Sequence, residues 1–326
     1  LKVTLTEGTE RILGIHHVTA VAGDPQRNID FYTGLLGLRL VKLTVNYDDP
    51  ETYHLYYGDQ VGHPGTILTF FPWPRAPRGR LGTGLLTVTS FEIPEASMDY
   101  WSKRLEGHGV SFQGPTRRFD ERVLSFSDPD GLRLELVAHG GLKDGDVWTG
   151  GTVLREHAIR GFFGVTLSEE ALGSTASLLT ETMGFRQVSQ QDGRFRFAVG
   201  SGGLGSFVDI LSLPGLSDGA IGVGTVHHVA WRTPDDEQQK SWRTNLVRDG
   251  LNVTPVIDRK YFHSIYFHEP GGVLFEIATD PPGFMVDEPV EQLGTRLSLP
   301  AWLESRRGEI QHTLPKVRVP PIARAL

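Results

Sequence analysis

Hydrophobic and polar positions along the chain fall into a recurring sequence of short strands and amphipathic stretches. Gly14-Ile15-His16-His17-Val18-Thr19-Ala20 and Thr225-Val226-His227-His228-Val229-Ala230-Trp231 resemble each other, and each reads as a strand. Both have an aspartate seven residues after the second histidine, Asp24 and Asp235. An amphipathic stretch follows, with Phe31-Tyr32 in the first case and Trp242 in the second. It ends near glycine, at Leu36-Gly37 and Asp249-Gly250, as helices often do. A glycine-containing turn then leads into an alternating strand. Asp128-Pro129-Asp130-Gly131 precedes Leu132-Arg133-Leu134-Glu135, and Glu269-Pro270-Gly271-Gly272 precedes Val273-Leu274-Phe275-Glu276. Fainter copies begin at Gly65 and Gly205. Counting four on from each glycine puts Thr69, Glu135, Asp209 and Glu276 at one equivalent place.

The pattern predicts four units of strand, helix and glycine-separated strands, at 13–72, 86–139, 157–213 and 224–280. The seven-residue offset marks His17, Ser90, Gly161 and His228 as the matching first-strand places. Residues 140–156 read as the connection between halves. Beyond Pro282 the tail alternates proline with a short helical stretch, Leu299 to Ile310, expected to wrap the domain or a subunit interface.

Composition narrows the chemistry. The 326 residues are 39% hydrophobic and 22% charged, enough for one large domain or two modest ones. Thirty-two Lys and Arg against 39 Asp and Glu leave a net charge of −7. The one basic block lies in the Pro-rich segment 72–84, so neither nucleic acid nor a membrane surface is an expected partner. That segment reads as a linker, or as a cationic flap over an acidic aromatic. There is no cysteine, which excludes disulfides, zinc fingers, iron–sulfur ligation and thiol catalysis. No apolar run approaches the ~18–20 residues of a membrane span, and no secretory h-region is read, so a cytoplasmic protein is expected. What remains for chemistry is histidine, twelve of them, and carboxylates.

A fourfold βαβββ repeat with His on a first strand and Glu on a last strand resembles the vicinal oxygen chelate superfamily. That superfamily includes glyoxalase I, bleomycin and fosfomycin resistance proteins, and extradiol dioxygenases. The resemblance implies an α+β fold whose four modules form two curved mixed-sheet half-barrels that cup a metal. Its expected divisions are an N-terminal domain 12–140, a C-terminal domain 157–284 and a tail 285–326. More narrowly, Ile15-His16-His17-Val18-Thr19, the run Asp48 to Asp59, Gly224 to Ala230 and Leu274 to Asp280 resemble the hydroquinone-type ring-cleaving dioxygenases.

Adjacent strand residues face opposite sides, so one histidine of each pair is expected to enter the cup. The repeat register selects His17 and His228, joined by Glu276. Two imidazoles and a carboxylate make the facial triad that holds non-haem Fe(II), with Mn(II) also fitting, and leaves positions open. With ligands drawn from the first and last modules, modules two and three are expected to form a second, structural cup. Their Glu135 and Asp209 are expected to be hydrogen-bonded or solvated.

The expected activity is Fe(II)-dependent, extradiol-type cleavage of hydroquinone or a related phenol, inserting both atoms of O₂, in a homo-oligomer. The resemblance implies that Tyr266, Arg259 and His227 handle protons and developing charge, His227 by reaching the substrate side at a strand bend. His16, Thr19, His54 and Tyr56 are expected beside the metal or substrate. Catechol-cleaving relatives carry a further acid–base histidine where Leu211-Ser212-Leu213 stands here, which favours a para-dihydroxy substrate. The alternative reading is a glyoxalase-like isomerase or lyase, against which stands Thr69 in the fourth ligand place. A sequestering protein of the drug-resistance kind is the third, and the complete His17, His228 and Glu276 set argues against it.

Overall fold

The computed structural model describes residues 11–139, 146–200, 202–203 and 205–321. Residues 140–145 of the expected connection and 322–326 of the tail lie outside them. Module one contains β1 (Ile15–Ala22), α1 (Pro25–Ile29), β2 (Arg39–Asn46), β3 (Asp49–Gly58) and β4 (Ile67–Pro72). Module two contains β5 (Leu85–Pro94), α2 (Met98–Gly107), β6 (Phe112–Arg118), β7 (Glu121–Ser127) and β8 (Arg133–His139). Module three contains β9 (Gly161–Glu169), α3 (Gly173–Ser177), β10 (Arg186–Gln191), β11 (Arg194–Ala198) and β12 (Phe207–Ser212). Module four contains β13 (Val226–Thr233), α4 (Asp236–Arg248), β14 (Ile257–Asp258), β15 (Phe262–His268) and β16 (Leu274–Pro282).

The recurring aspartates are helix N-caps. Asp24 accepts from the Arg27 N–H at 2.8 Å, and Asp235 from the Gln238 N–H at 2.9 Å, satisfying donors that a first helical turn leaves free. The closing turns are also built alike. Asp128 accepts from the amides of Asp130 and Leu132, as Glu269 does from those of Gly271 and Val273. Gly131 and Gly272 complete these turns at φ 93° and 107°, where a side chain would be strained.

Two eight-stranded sheets result, ordered β14-β15-β16-β13-β1-β4-β3-β2 and β10-β11-β12-β9-β5-β8-β7-β6. Each takes one module from each sequential half: modules one and four join through antiparallel β1 and β13, two and three through β5 and β9. The chain's two ends therefore share a cup. Strand β1 is buried throughout, and in β13 Trp231 packs edge-on against Phe185 and Phe275 on the face away from the cup.

The register corrects two sequence assignments. In all four modules the glycine-plus-four residue pairs with a first-strand residue two places beyond the ligand position: Thr69 with Thr19, Glu135 with Ser90, Asp209 with Thr166 and Glu276 with Ala230. The equivalents of His17 and His228 are therefore Val88 and Gly164, not Ser90 and Gly161. A 3₁₀ turn at Glu95–Ser97 lengthens the connection to α2, so the count back from Ser97 stops at Ser90; the count to Gly161 ran from Ser168, inside β9 and ahead of α3, which begins at Gly173.

The second cup is closed by ion pairs. Glu135 accepts from Ser90 at 2.7 Å and from two Arg118 nitrogens at 2.8 and 2.6 Å. Asp209 takes Arg194 and Arg196, and Arg196 also reaches Glu121 at 2.6 Å. The tail wraps module one: the Ser298 N–H donates to Leu43 O at 2.9 Å, and Tyr53 donates to Pro315 O at 2.9 Å. Its helical part is a 3₁₀ turn over Ala301–Arg306 followed by α5 (Arg307–Thr313), ending beyond the expected Ile310. Segment 72–84 docks through Arg78, Arg80 and Thr83 onto Val223, Ala220 and Asp218, the connection between modules three and four.

Candidate metal centre and its cavity

Strands β1 and β13 each carry one extra residue where they pair. Ile15 and His17 face Trp231 and Ala230, leaving His16 over; Thr19 and Ala20 face His228 and Val226, leaving His227 over. These are β-bulges, which re-aim side chains that strict alternation would send to opposite faces. His227 accordingly joins His228 in the cavity lining, whereas on β1 the lining includes His17 and not His16. His16 Nδ1 lies 2.9 Å from His17 Nδ1, and His227 Nδ1 lies 2.8 Å from His228 Nδ1. Sheet two has the same bulges at Thr87 and Phe163, but beside Val88 and Gly164, which cannot ligate.

His17, His228 and Glu276 converge, all buried. His228 Nε2 is 3.0 Å from Glu276 Oε2, His17 Nε2 is 3.3 Å from it, and the two Nε2 atoms are 3.3 Å apart. Bonds of ~2.1 Å at right angles would hold donor atoms ~3.0 Å apart, so this triangle fits one face of an octahedron. Glu276 Oε2 has no hydrogen-bond partner among the described residues, whereas Oε1 accepts from the Ser264 hydroxyl. Burial would raise the Glu276 pKa, but His17 and His228 outweigh it and hold the carboxyl well below its usual range. Burial also lowers the pKa of His228. A carboxylate and neutral imidazoles are the forms a divalent cation needs. The donor set fits such an ion, and His17, His228 and Glu276 are the residues that would hold it.

With a metal held there, the neighbouring histidines would set the tautomers of its imidazole ligands. An imidazole that turns Nε2 to a metal carries its proton on Nδ1. His17 then donates to His16 Nδ1, and His228 to His227 Nδ1. Burial depresses both neighbours, His16 well below the ordinary value and His227 to about 3, so each stays neutral and able to accept.

The centre opens on a cavity of about 330 Å³. Its lining comes wholly from modules one and four and Trp73 just beyond β4: Tyr47, His54, Tyr56, Phe71, His227, Ile257, Arg259, Phe262, Tyr266 and Leu274 among others. Arg259 Nε donates to the Tyr266 hydroxyl at 3.1 Å, and Arg259 Nη1 pairs with Asp48 at 2.9 Å. Burial, with Glu276 nearby, raises the Tyr266 pKa, so the phenol keeps its proton. Thr69 is a hydrogen-bonding post in the fourth ligand place. It donates to Thr19 at 2.9 Å and receives His54 Nε2 at 2.8 Å, while Tyr56 lies 2.9 Å from His54 Nδ1. The bulge at His16 and the Thr69–His54–Tyr56 connection were missed from sequence; a strand bend was read only at His227, from the family resemblance.

Comparisons with known proteins agree with this architecture. The chain is 48% identical over 307 residues to the Bacillus subtilis protein MhqO, assigned as a ring-cleaving dioxygenase, covering 94% of this chain and 96% of that one. It is 33% identical over 315 residues to the chlorohydroquinone/hydroquinone 1,2-dioxygenase of Sphingobium indicum, covering 94% and 97%. A crystal structure from Bacillus subtilis, described as a dioxygenase, superposes with a TM-score of 0.92 at 46% identity, over 96% of this chain and 99% of that one. Glyoxalase I from Zea mays shares the fold alone, at 14% identity and a TM-score of 0.61 over 83% and 93%. The family model matches residues 14–136 and 165–285, and the chain belongs to the glyoxalase/bleomycin resistance protein/dioxygenase superfamily.

Proposed function

We propose that the protein is an Fe(II)-dependent, extradiol-type ring-cleaving dioxygenase acting on hydroquinone or a related para-dihydroxy phenol, with Mn(II) also fitting the ligand set. The observation that carries this reading is the His17, His228 and Glu276 triangle at the floor of a small aromatic-lined cavity. Its three donors leave coordination positions open, as a reaction between a ring hydroxyl and O₂ requires. Likeness to MhqO and to the hydroquinone dioxygenase supports the substrate class.

When bound, the metal would supply Lewis acidity toward a phenolic oxygen and electron transfer to O₂. The chain's residues supply the rest. Phe71, Phe262, Tyr56 and Leu274 form apolar walls that hold a flat ring and exclude water. Arg259 already occupies the Tyr266 oxygen as donor, which leaves the Tyr266 proton free to donate into the cavity toward an anionic ring oxygen. His16 and His227 fix the ligand tautomers, and the remaining His227 Nε2 carries a proton, so it serves as a donor rather than a base. Thr69, tied up between Thr19 and His54, weighs against a fourth protein ligand and hence against an isomerase.

Oxygen uptake by anaerobically Fe(II)-loaded protein on adding hydroquinone, beside catechol and a His228→Ala control, tests the proposal. Uptake with hydroquinone that the variant loses supports it. Uptake with catechol alone would overturn the para-dihydroxy assignment, and no uptake with either would overturn ring cleavage.

A further inference from the structure

Four polar side chains in module one form a continuous hydrogen-bonded row whose direction can be deduced. Thr69 spends its single proton on Thr19 Oγ1, at 2.9 Å. Its oxygen, 2.8 Å from His54 Nε2, must then accept, so His54 carries its proton on Nε2. His54 Nδ1 is consequently a bare acceptor, and the Tyr56 hydroxyl 2.9 Å away donates to it. Every donor in the row points the same way, from Tyr56 toward Thr19. The Tyr56 oxygen keeps lone pairs at the cavity wall. At the other end, Thr19 shares the His17 face of β1 and pairs with His228 across to β13, so the row ends on the cup side of the sheet, beside the ligand strands.

We propose that Tyr56, His54, Thr69 and Thr19 are a proton-conducting row that takes a proton from the substrate's far hydroxyl and delivers one into the metal cup. This rests on the ring-cleavage reading, and it adds a residue set that the triad and the Tyr266–Arg259 pair do not use. The chemistry needs such a device. Adding O₂ to a dihydroxybenzene with ring opening adds no hydrogen, so a proton lost from a ring hydroxyl must reappear on the open-chain product. In a para-dihydroxy ring the second hydroxyl points away from the metal-bound oxygen, so a proton released from it as the ring gives up electron density has to cross the cavity to reach the new carboxyl.

Each passage leaves the row neutral but moves the His54 proton from Nε2 to Nδ1 and reverses the hydroxyls, so a return passage, as the product gives up its carboxyl proton, resets it between turnovers. The substrate O–H bond breaks as its proton binds the Tyr56 oxygen. The Tyr56 proton passes to His54 Nδ1, the Nε2 proton to Thr69 and the Thr69 proton to Thr19. The Thr19 proton leaves to an oxygen created by ring opening. Burial holds the His54 pKa well below its ordinary value, so the imidazolium does not accumulate and the shifts are concerted. The same burial protects the row from bulk water, since Thr19, Thr69 and Tyr56 are all buried.

Two measurements test the row. Nitrogen NMR of isotope-labelled histidine in the metal-free protein reads the tautomer without turnover: a proton on His54 Nε2 supports the row, and one on Nδ1 overturns it. Steady-state kinetics of Fe(II)-loaded His54→Gln and Thr69→Val with hydroquinone form the second arm. Gln keeps a donor toward Thr69 but cannot pass a proton, and Val interrupts the row at its midpoint. Both should lower kcat roughly 100-fold, leave KM within about twofold and enlarge the solvent deuterium isotope effect. Unchanged kcat and isotope effect in either variant, at wild-type metal content and melting temperature, would overturn the proposal. If the wild type takes up no oxygen, the ring-cleavage reading fails, and the tautomer still decides whether the row exists.

Discussion

Glu169 at the end of β9 lays its carboxylate directly against Gly271, in space that a Cβ at Gly271 would fill. The pseudo-symmetric junction in the other half has Asp130 at the Gly271 place, and there the Asp130 carboxylate receives the Gly23 N–H at 2.7 Å and the Arg27 guanidinium. Glu169 has neither kind of partner among the described residues. Both its oxygens are buried without a hydrogen bond, and burial beside Glu269 raises its pKa to about 8.

A pH dependence of stability follows from that carboxyl. In the unfolded chain a glutamate titrates near ~4.3, so between there and about 8 the folded state binds the extra proton. Stability from this group is complete below ~4.3, falls as pH rises and is lost above about 8. Glu169→Gln is neutral at every pH and should remove this loss. Its unfolding free energy should exceed the wild type's by roughly 2 kcal/mol at pH 9, the difference vanishing near pH 4. Denaturant melts across this pH range check it, and parallel curves for the two proteins would refute it.

Gly271→Ala should cost roughly 2–4 kcal/mol, because the added methyl overlaps the Glu169 carboxyl inside a closed junction. Pairing it with Glu169→Ala opens the same space. The double variant should recover at least half of the loss, measured as a coupling in a double-mutant cycle.

Metal binding should be visible as stability. Fe(II) under nitrogen, or Mn(II), at about a hundredfold over its dissociation constant should add about 2.7 kcal/mol, and a chelator should remove it. Glu276→Ala should abolish the gain. His227→Ala, which removes the acceptor from His228 Nδ1, should weaken binding roughly 10–100-fold while leaving all three ligands in place. His227→Asn returns an acceptor oxygen close to the lost Nδ1 and should restore most of that affinity by calorimetry.

Repeats made much of this legible in the sequence. His17, His228 and Glu276 could be brought together because two modules with matched spacing each supply part of one cup. What escaped depended on pairings between distant or irregular segments. No local pattern signals that β1 bulges at His16, since a bulge is defined by the partner strand. The buried Lys42 ammonium meets Asp287 at 2.8 Å, 245 residues away, and no spacing rule links them. The places of Val88 and Gly164 were misread because the strand-to-helix connections of modules two and three differ from those carrying histidine. His54 was placed on the right strand, but its bond to Thr69 arises from the β3–β4 register, where Tyr56 faces Thr69.

Tyr266 offers the sharpest test of the cavity's chemistry. Its ring lies 5.8 Å from that of His228, and its strand position pairs with Glu276, so the hydroxyl stands over the ligand set rather than in it. Arg259 Nε fills one of its acceptor sites, and its raised pKa keeps the proton on the phenol, so it can donate. Loss of one well-aimed donor to developing anionic charge typically costs 10²–10³ in kcat. Tyr266→Phe should therefore lower kcat on hydroquinone roughly 100-fold, with metal affinity unchanged because no ligand is touched. Arg259→Lys keeps the charge but loses the Nε–H that orients the phenol, so its loss should be smaller, about tenfold. In the double variant Arg259 has no phenol left to orient, and the effects should be less than multiplicative. Full turnover in Tyr266→Phe would remove the tyrosine from the mechanism, and fully multiplicative losses would show that Arg259 acts on the substrate by itself.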